Sequence, residues 1–198
     1  MQVVTTSPLI KTYSLDEFWS LPEPKDGSKY ELIAGVLYMS PPPDFPHNYS
    51  SATLNQVFYS HIEQSGNKGL VFTPRAALWT SSATYVEPDL FYISEDTLNR
   101  INIRKPHTAD LVVEIISPGT AIYDRNTKAD TYAGLGVREL WLIDPLNLII
   151  EVRHLLEGEA RYDIGRVFKQ GDLVESKVLP TFSPSVTRIC NAVPHKTK

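Results

Sequence analysis

The most apolar stretch of the chain, Leu111-Val112-Val113-Glu114-Ile115-Ile116, carries a carboxylate at its centre. Burying an ionised carboxylate without a partner costs several kcal/mol, so an acid in such a place constrains everything packed around it. The run is too short and too rich in β-branched residues for a helix. It reads as a strand covered on both faces, in the middle of a sheet. Glu114 is therefore expected to be paired, protonated or bound to a cation.

Upstream, Tyr85 to Ile93 reads as a second strand, and its Pro88-Asp89 pair sets another acid among apolar residues. Asp89 and Glu114 are 114 − 89 = 25 residues apart, enough for a loop and a return to a neighbouring strand. Asp124 to Tyr132 reads as a helix ending at Gly134 or Gly136, where a glycine can take the left-handed C-terminal conformation. Lys128 and Tyr132 are four apart and share a face of that helix. Two acids on adjacent strands with a lysine from the next helix make a site for a cation and a phosphate.

The rest of the chain suggests a mixed sheet flanked by helices, an α/β arrangement. Ser14-Leu15-Asp16-Glu17 is a capping-box pattern opening a short helix through Phe18 and Trp19. Tyr30 to Ser40 reads as a hairpin. The Pro41 to Pro46 segment reads as a rigid loop ending at a helix start, or alternatively as a polyproline ligand. Leu54, Val57, Phe58, His61 and Ile62 recur at helical spacing, giving an amphipathic helix from about His47 to Gln64 that stops before Gly66. Further strands are expected at Val71 to Trp79, Glu139 to Ile143 and Leu148 to His154, with glycine turns at Gly158, Gly165 and Gly171.

At 198 residues the chain suits one well-buried core, and one domain over 1–198 is expected. No apolar run approaches the roughly 20 residues that span a bilayer, so no membrane partner is expected. The start, Met1 to Thr6, lacks the basic and apolar regions of a secretory signal, which makes a cytoplasmic location the default. The lone Cys190 can form no internal disulfide and reads as a small packing residue. A net charge of −4 argues against gripping nucleic acid by bulk electrostatics and leaves room for a local groove.

Five segments stand in a specific order: Tyr30-Glu31-Leu32-Ile33-Ala34-Gly35-Val36, Pro88-Asp89, Glu114 to Thr120, Asp124 to Tyr132, and Gly136 to Pro145. Together they cover about residues 14–185 and resemble the Uma2 (DUF820) group within the PD-(D/E)xK nuclease superfamily. The resemblance implies a restriction-endonuclease-like core, with a central mixed β-sheet flanked by helices. It further implies a metal-dependent endonuclease that hydrolyses phosphodiester bonds in DNA, with Mg²⁺ or Mn²⁺ as cofactor and a homodimer as the assembly. Asp89 and Glu114 would be the metal ligands, Lys128 a third catalytic residue, and Glu31 the additional acid beside the metal. The superfamily lysine expected two residues after the acid is replaced by Ile116. Lys128 on the following helix would take its place, since a four-carbon stem can bring an ammonium to the same point. The usual Asp-Gly turn is here Ala34-Gly35.

Other readings of the same residues stand beside these. Asp89 can cap a turn, and Lys128 can be a solvated lysine paired with Asp124 four residues before it. Glu31 fits a surface strand. His47 fits a structural histidine as well as a metal or phosphate contact, and Tyr132 a packing residue with a hydrogen-bonded hydroxyl. Two competing functions remain: a nucleic-acid-binding or regulatory module without turnover, and a hydrolase of another phosphate ester.

Overall fold

The computed structural model describes residues 10–190. The capping box forms as expected: Glu17 N–H donates to Ser14 Oγ at 3.2 Å and Ser14 N–H to Glu17 Oε2 at 2.8 Å. It opens helix α1, Leu15–Trp19. The hairpin follows as β1, Lys29–Ile33, and β2, Val36–Ser40. Its two turn residues, Ala34 and Gly35, have φ of 48° and 81°, as a tight turn matched to the strand twist requires. The proline loop leads into α2, Phe45–Ser65, whose first turn is closed by His47 N–H donating to Asp44 Oδ1 at 3.0 Å. Gly66, with φ of 65°, ends it.

Beyond α2 come β3, Leu70–Phe72; β4, Leu78–Thr80; β5, Thr84–Val86; β6, Leu90–Ile93; and the short α3, Glu95–Leu98. The buried central strand is β7, Leu111–Ile115. After it run α4, Ala121–Tyr123, a wide π-helical turn, Asp124–Lys128, and α5, Ala129–Gly134. The chain closes with β8, Glu139–Asp144; β9, Ile149–His154; β10, Arg166–Lys169; and α6, Val186–Cys190. The lysine-bearing helical segment thus begins three residues earlier than expected, and Gly136, with φ of 78°, takes the left-handed position after it.

Two sheets result. The larger has the order β10-β9-β8-β7-β6-β3, with β7 and β8 parallel and the other pairs antiparallel, so it is mixed. The smaller has the order β2-β1-β5-β4. The expected continuous strands at 71–79 and 86–93 are each divided between the two sheets. β3 pairs with β6 in the large sheet and β4 with β5 in the small one, so an antiparallel ribbon leaves one sheet and enters the other. The bends fall where Pro74 and Pro88 lie, and proline has no N–H to give to a ladder.

Alternation along β7 decides where its acid points. Leu111, Val113 and Ile115 face Leu54, Val57 and Phe58 of α2 and Val186 and Ile189 of α6. Val112 and Ile116 face the other way, against Ile33, Leu78 and Val86 of the small sheet and Ala129 and Tyr132 of α5. Glu114 shares the parity of Val112 and Ile116, so its carboxylate enters the layer between the large sheet, the small sheet and the lysine helix. Among the described residues no helix is long and apolar enough to cross a membrane. The sequence start at Met1 to Thr6 and the tail lysines Lys196 and Lys198 lie outside the described residues.

Candidate active site

Glu114 is 3% exposed, and its Oε1 accepts from Lys128 Nζ at 2.7 Å and from the Tyr132 hydroxyl. Both donors come from one face of the helix that joins β7 to β8, as their spacing requires. Lys128 Nζ also lies 3.2 Å from Oε1 of Glu31, which reaches the same layer from β1. Glu31 is fully buried and accepts from Glu87 N–H at 2.8 Å and the Tyr123 hydroxyl at 3.4 Å. At the bend between β5 and β6, Asp89 turns Oδ2 toward β7, where Ile115 N–H donates at 2.8 Å. His47 Nε2, from the first turn of α2, lies 3.2 Å from the same oxygen and donates to it.

Several alternative readings end here. Lys128 is 2% exposed and paired with Glu31 and Glu114, so it is not a solvated partner of Asp124. Glu31 is not a surface residue, and Asp89 binds a distant strand and helix rather than capping a local turn. Tyr132 is a packing residue with a bonded hydroxyl, and that hydroxyl ends on Glu114. The sequence reading missed Asp124, Tyr123, Lys29 and Glu87. Asp124 is 4% exposed, Tyr123 bonds Glu31, and Lys29 Nζ donates to the Glu87 carbonyl at 2.7 Å. For Glu87 the signal was Pro88, which marks a break where flanking residues leave the ladder; Asp124, Tyr123 and Lys29 carried none.

Burial dominates the electrostatics. Desolvation pushes the Glu114 carboxyl up to about 8 against the pull of Lys128, with Asp89 and Asp124 adding repulsion. Asp124 is raised by the same cause. Burial works against an ionised Asp89 too, yet the hydrogen bond and charge of His47, with Lys29 and Lys128, hold it below the ordinary carboxylate value. For Lys128 burial disfavours the ammonium, and the charges of Glu114 and Glu31 more than offset it, so the lysine stays protonated.

Asp89, Glu114, Lys128, Asp124, His47 and Lys29 all line one cavity of about 440 Å³. A larger depression of about 660 Å³ lies elsewhere, around Arg138, Glu139 and His154. There the Glu139 carboxylate is occupied in holding Trp141 Nε1 at 2.7 Å and the Lys177 and Val178 N–H groups at 2.7 and 3.1 Å. Its chemistry is structural.

Among the described residues, no three His, Cys, Asp or Glu side chains converge as a metal cluster. The pair Asp89 and Glu114 nevertheless fits a hard cation. Each commits one oxygen, Oδ2 and Oε1, to the protein, and the other oxygen has no hydrogen bond among the described residues. Oxygen donors from two residues that line the cavity suit a hard divalent cation better than zinc.

The chain matches the Uma2 family, described as "Putative restriction endonuclease", over residues 15–188. It belongs to the Uma2 family. A crystal structure from Anabaena variabilis, described as "a putative nuclease belonging to DUF820", has a TM-score of 0.71 and 19% sequence identity. The match covers 90% of this chain and 98% of the other, and at that identity it speaks for the fold. No curated protein matches the chain. Uma2 membership supports nuclease function, and with it a nucleic-acid substrate.

Proposed function

We propose that this Uma2 protein is a metal-dependent endonuclease that hydrolyses phosphodiester bonds, with DNA as its substrate. The observation that carries the reading is the convergence of Asp89, Glu114 and Lys128, from a bend, a central strand and a helix, on one cavity wall. Asp89 and Glu114 are the residues that would hold Mg²⁺ or Mn²⁺. When bound there, a divalent ion would supply Lewis-acid chemistry, polarising the phosphate and lowering the pKa of water by several units.

The protein's own groups do the rest. Ile115 N–H and His47 fix Asp89 through one carboxylate oxygen, Oδ2, and leave Oδ1 without a hydrogen bond among the described residues. Tyr132 and Lys128 fix Glu114 in the same way. Lys128, held as an ammonium by Glu31 and Glu114, has no free lone pair at neutral pH and does not act as the base. Its charge orients water by donation and stabilises the negative charge that grows on the phosphoryl oxygens. Glu31 is a positioning residue, keeping the lysine charged and aimed. The assembly is a homodimer by analogy with the superfamily, checked by light scattering.

The test is cleavage of supercoiled and single-stranded DNA with magnesium, manganese or EDTA, beside Asp89→Asn, Glu114→Gln and Lys128→Met proteins. Metal-dependent nicking by the wild type, lost in all three variants, is expected. Cleavage retained by Asp89→Asn and Glu114→Gln would refute the assignment. A second reading has its own observation: the lysine is already paired with two carboxylates, and among the described residues no three His, Cys, Asp or Glu side chains form a metal cluster, as suits a binding module without turnover. Tight DNA binding that ignores metal, with no cleavage, would favour it.

A further inference from the structure

A second, smaller hollow of about 270 Å³ adjoins the site, and Arg75 lines both. Its walls are aromatic. Trp19, at the end of α1, is 53% exposed and meets Tyr85 edge-on at 4.8 Å and Trp79 at 6.3 Å between ring centroids. Trp19 also meets the buried Phe18 ring at 5.0 Å, so it is anchored on one side and open to solvent on the other.

The rim is cationic. The Arg75 side chain is 66% exposed and its Nε lies 3.8 Å from Glu87 Oε2. Arg104 lines the hollow, and Lys105 Nζ sits 5.0 Å from the Trp79 ring centre. The loop from Asn99 to Ala109 contains Arg100, Arg104 and Lys105 and no acid, although the chain as a whole carries a net charge of −4. Trp79 N–H donates to the Pro106 carbonyl at 3.0 Å, which ties this basic loop to the aromatic strand.

We infer that this hollow is a subsite for unpaired nucleotides, in which bases stack against Trp19 and its neighbours while Arg75, Arg104 and Lys105 hold the phosphates leading to the cavity. The inference rests on the nuclease reading and narrows its substrate to single-stranded segments. Aromatic faces can stack only on bases whose own faces are free, and in a duplex both are covered. Cationic groups beside the rings match a backbone with one charge per nucleotide. Arg75, shared by the two hollows, gives the strand a continuous path. Arg75 Nε lies 3.8 Å from Glu87 Oε2, and the Tyr85 hydroxyl donates to Glu87 Oε1 at 3.0 Å, so the aromatic wall and the arginine meet at one carboxylate.

The test is binding of a fluorescein-labelled oligothymidylate, an oligouridylate and a hairpin duplex to the full-length protein in EDTA, read by anisotropy and tryptophan quenching. Trp19→Ala and the double variant Arg104→Ala/Lys105→Ala are compared with the wild type, all at exposed positions where folding is undisturbed and can be checked by melting. Single strands should bind at least tenfold tighter than the duplex and quench tryptophan emission. Trp19→Ala should weaken that binding roughly tenfold or more. The double variant should weaken it and flatten its salt dependence. Equal binding of duplex and single strand, or Trp19→Ala at wild-type affinity, would overturn the inference. Because binding is read without metal, it is separable from cleavage: quenching without any nuclease activity keeps the subsite and removes the nuclease, and cleavage with unaltered variants does the reverse.

Discussion

Removing the Lys128 ammonium should be the most damaging single change outside the apolar core. Nζ lies 2.7 Å from Glu114 and 3.2 Å from Glu31, and all three side chains are at most 3% exposed. At an effective dielectric of about 20, the contact with Glu31 is worth roughly 5 kcal/mol of gross attraction, and that with Glu114 approaches about 6 kcal/mol only as its carboxyl ionises near pH 8; most of either is offset by desolvation. Taking away one partner leaves the desolvation uncompensated, which costs about 3–5 kcal/mol. In a domain of this size that lowers the melting temperature by roughly 6–20 °C. Lys128→Met keeps the volume of the stem and removes the charge. Its thermal melt, followed by circular dichroism in EDTA at neutral pH, should show that drop. Glu31→Gln added to it should recover part of the loss, with a coupling of about 1 kcal/mol or more. A Lys128→Met protein melting within about 2 °C of the wild type would refute the reasoning, because no buried charge network would then depend on the ammonium.

Three further outcomes follow from the same structure. A proton on Glu114 competes with a cation, so Mn²⁺ affinity measured by calorimetry should rise with pH until about 8 and then level; Glu114→Gln should remove the slope. Asp110 is buried, and despite that burial Ser94 N–H at 2.5 Å, Thr97 Oγ1 at 2.9 Å and Arg138 at 2.6 Å hold its pKa below the ordinary value. A depressed folded pKa gives stability that is complete above the unfolded value of about 3.9 and is lost as pH falls through the folded one. Asp110→Asn should therefore be less stable at neutral pH and show a weaker acid dependence in urea titrations; an unchanged acid limb would exclude Asp110 as its source. A Cβ on Gly69 would press into the ring of Tyr92, which is 2% exposed and bonded to Asn67 at 2.9 Å. Gly69→Ala should cost about 1–3 kcal/mol by urea unfolding, and a neutral effect would mean the ring can move aside.

What the sequence made readable was local. Glu114 stood out because its neighbours are β-branched and apolar on both sides, and Lys128 and Tyr132 could be set on one face because helical spacing is rigid. The partner of Lys128 in β1 could not be settled, because whether Glu31 faces solvent or the interior depends on how the small sheet packs on the large one. Periodicity marks a strand without saying which sheet it joins. For that reason Val71 to Trp79 and Val86 to Ile93 looked continuous, when Pro74 and Pro88 divide each between two sheets. The wide turn at Asp124–Lys128 leaves no pattern in side-chain type, and it places Asp124 against the cavity instead of beside the lysine as an exposed pair.

The ribbon that passes from the large sheet into the small one has a kinetic consequence. Tyr123 and Glu31, which meet in the buried layer between the two sheets, are 92 residues apart in the chain, and the ammonium between the carboxylates arrives from a helix formed later still in synthesis. Contacts of such separation must close long loops before they return any energy, so they belong to the late part of folding. A chain emerging from the ribosome can complete α1, the first hairpin and α2 and still hold none of the Glu31–Lys128–Glu114 network. On the proposed reading, hydrolytic capacity would then arise only with the last docking step, and a partly synthesised or misassembled chain would lack it.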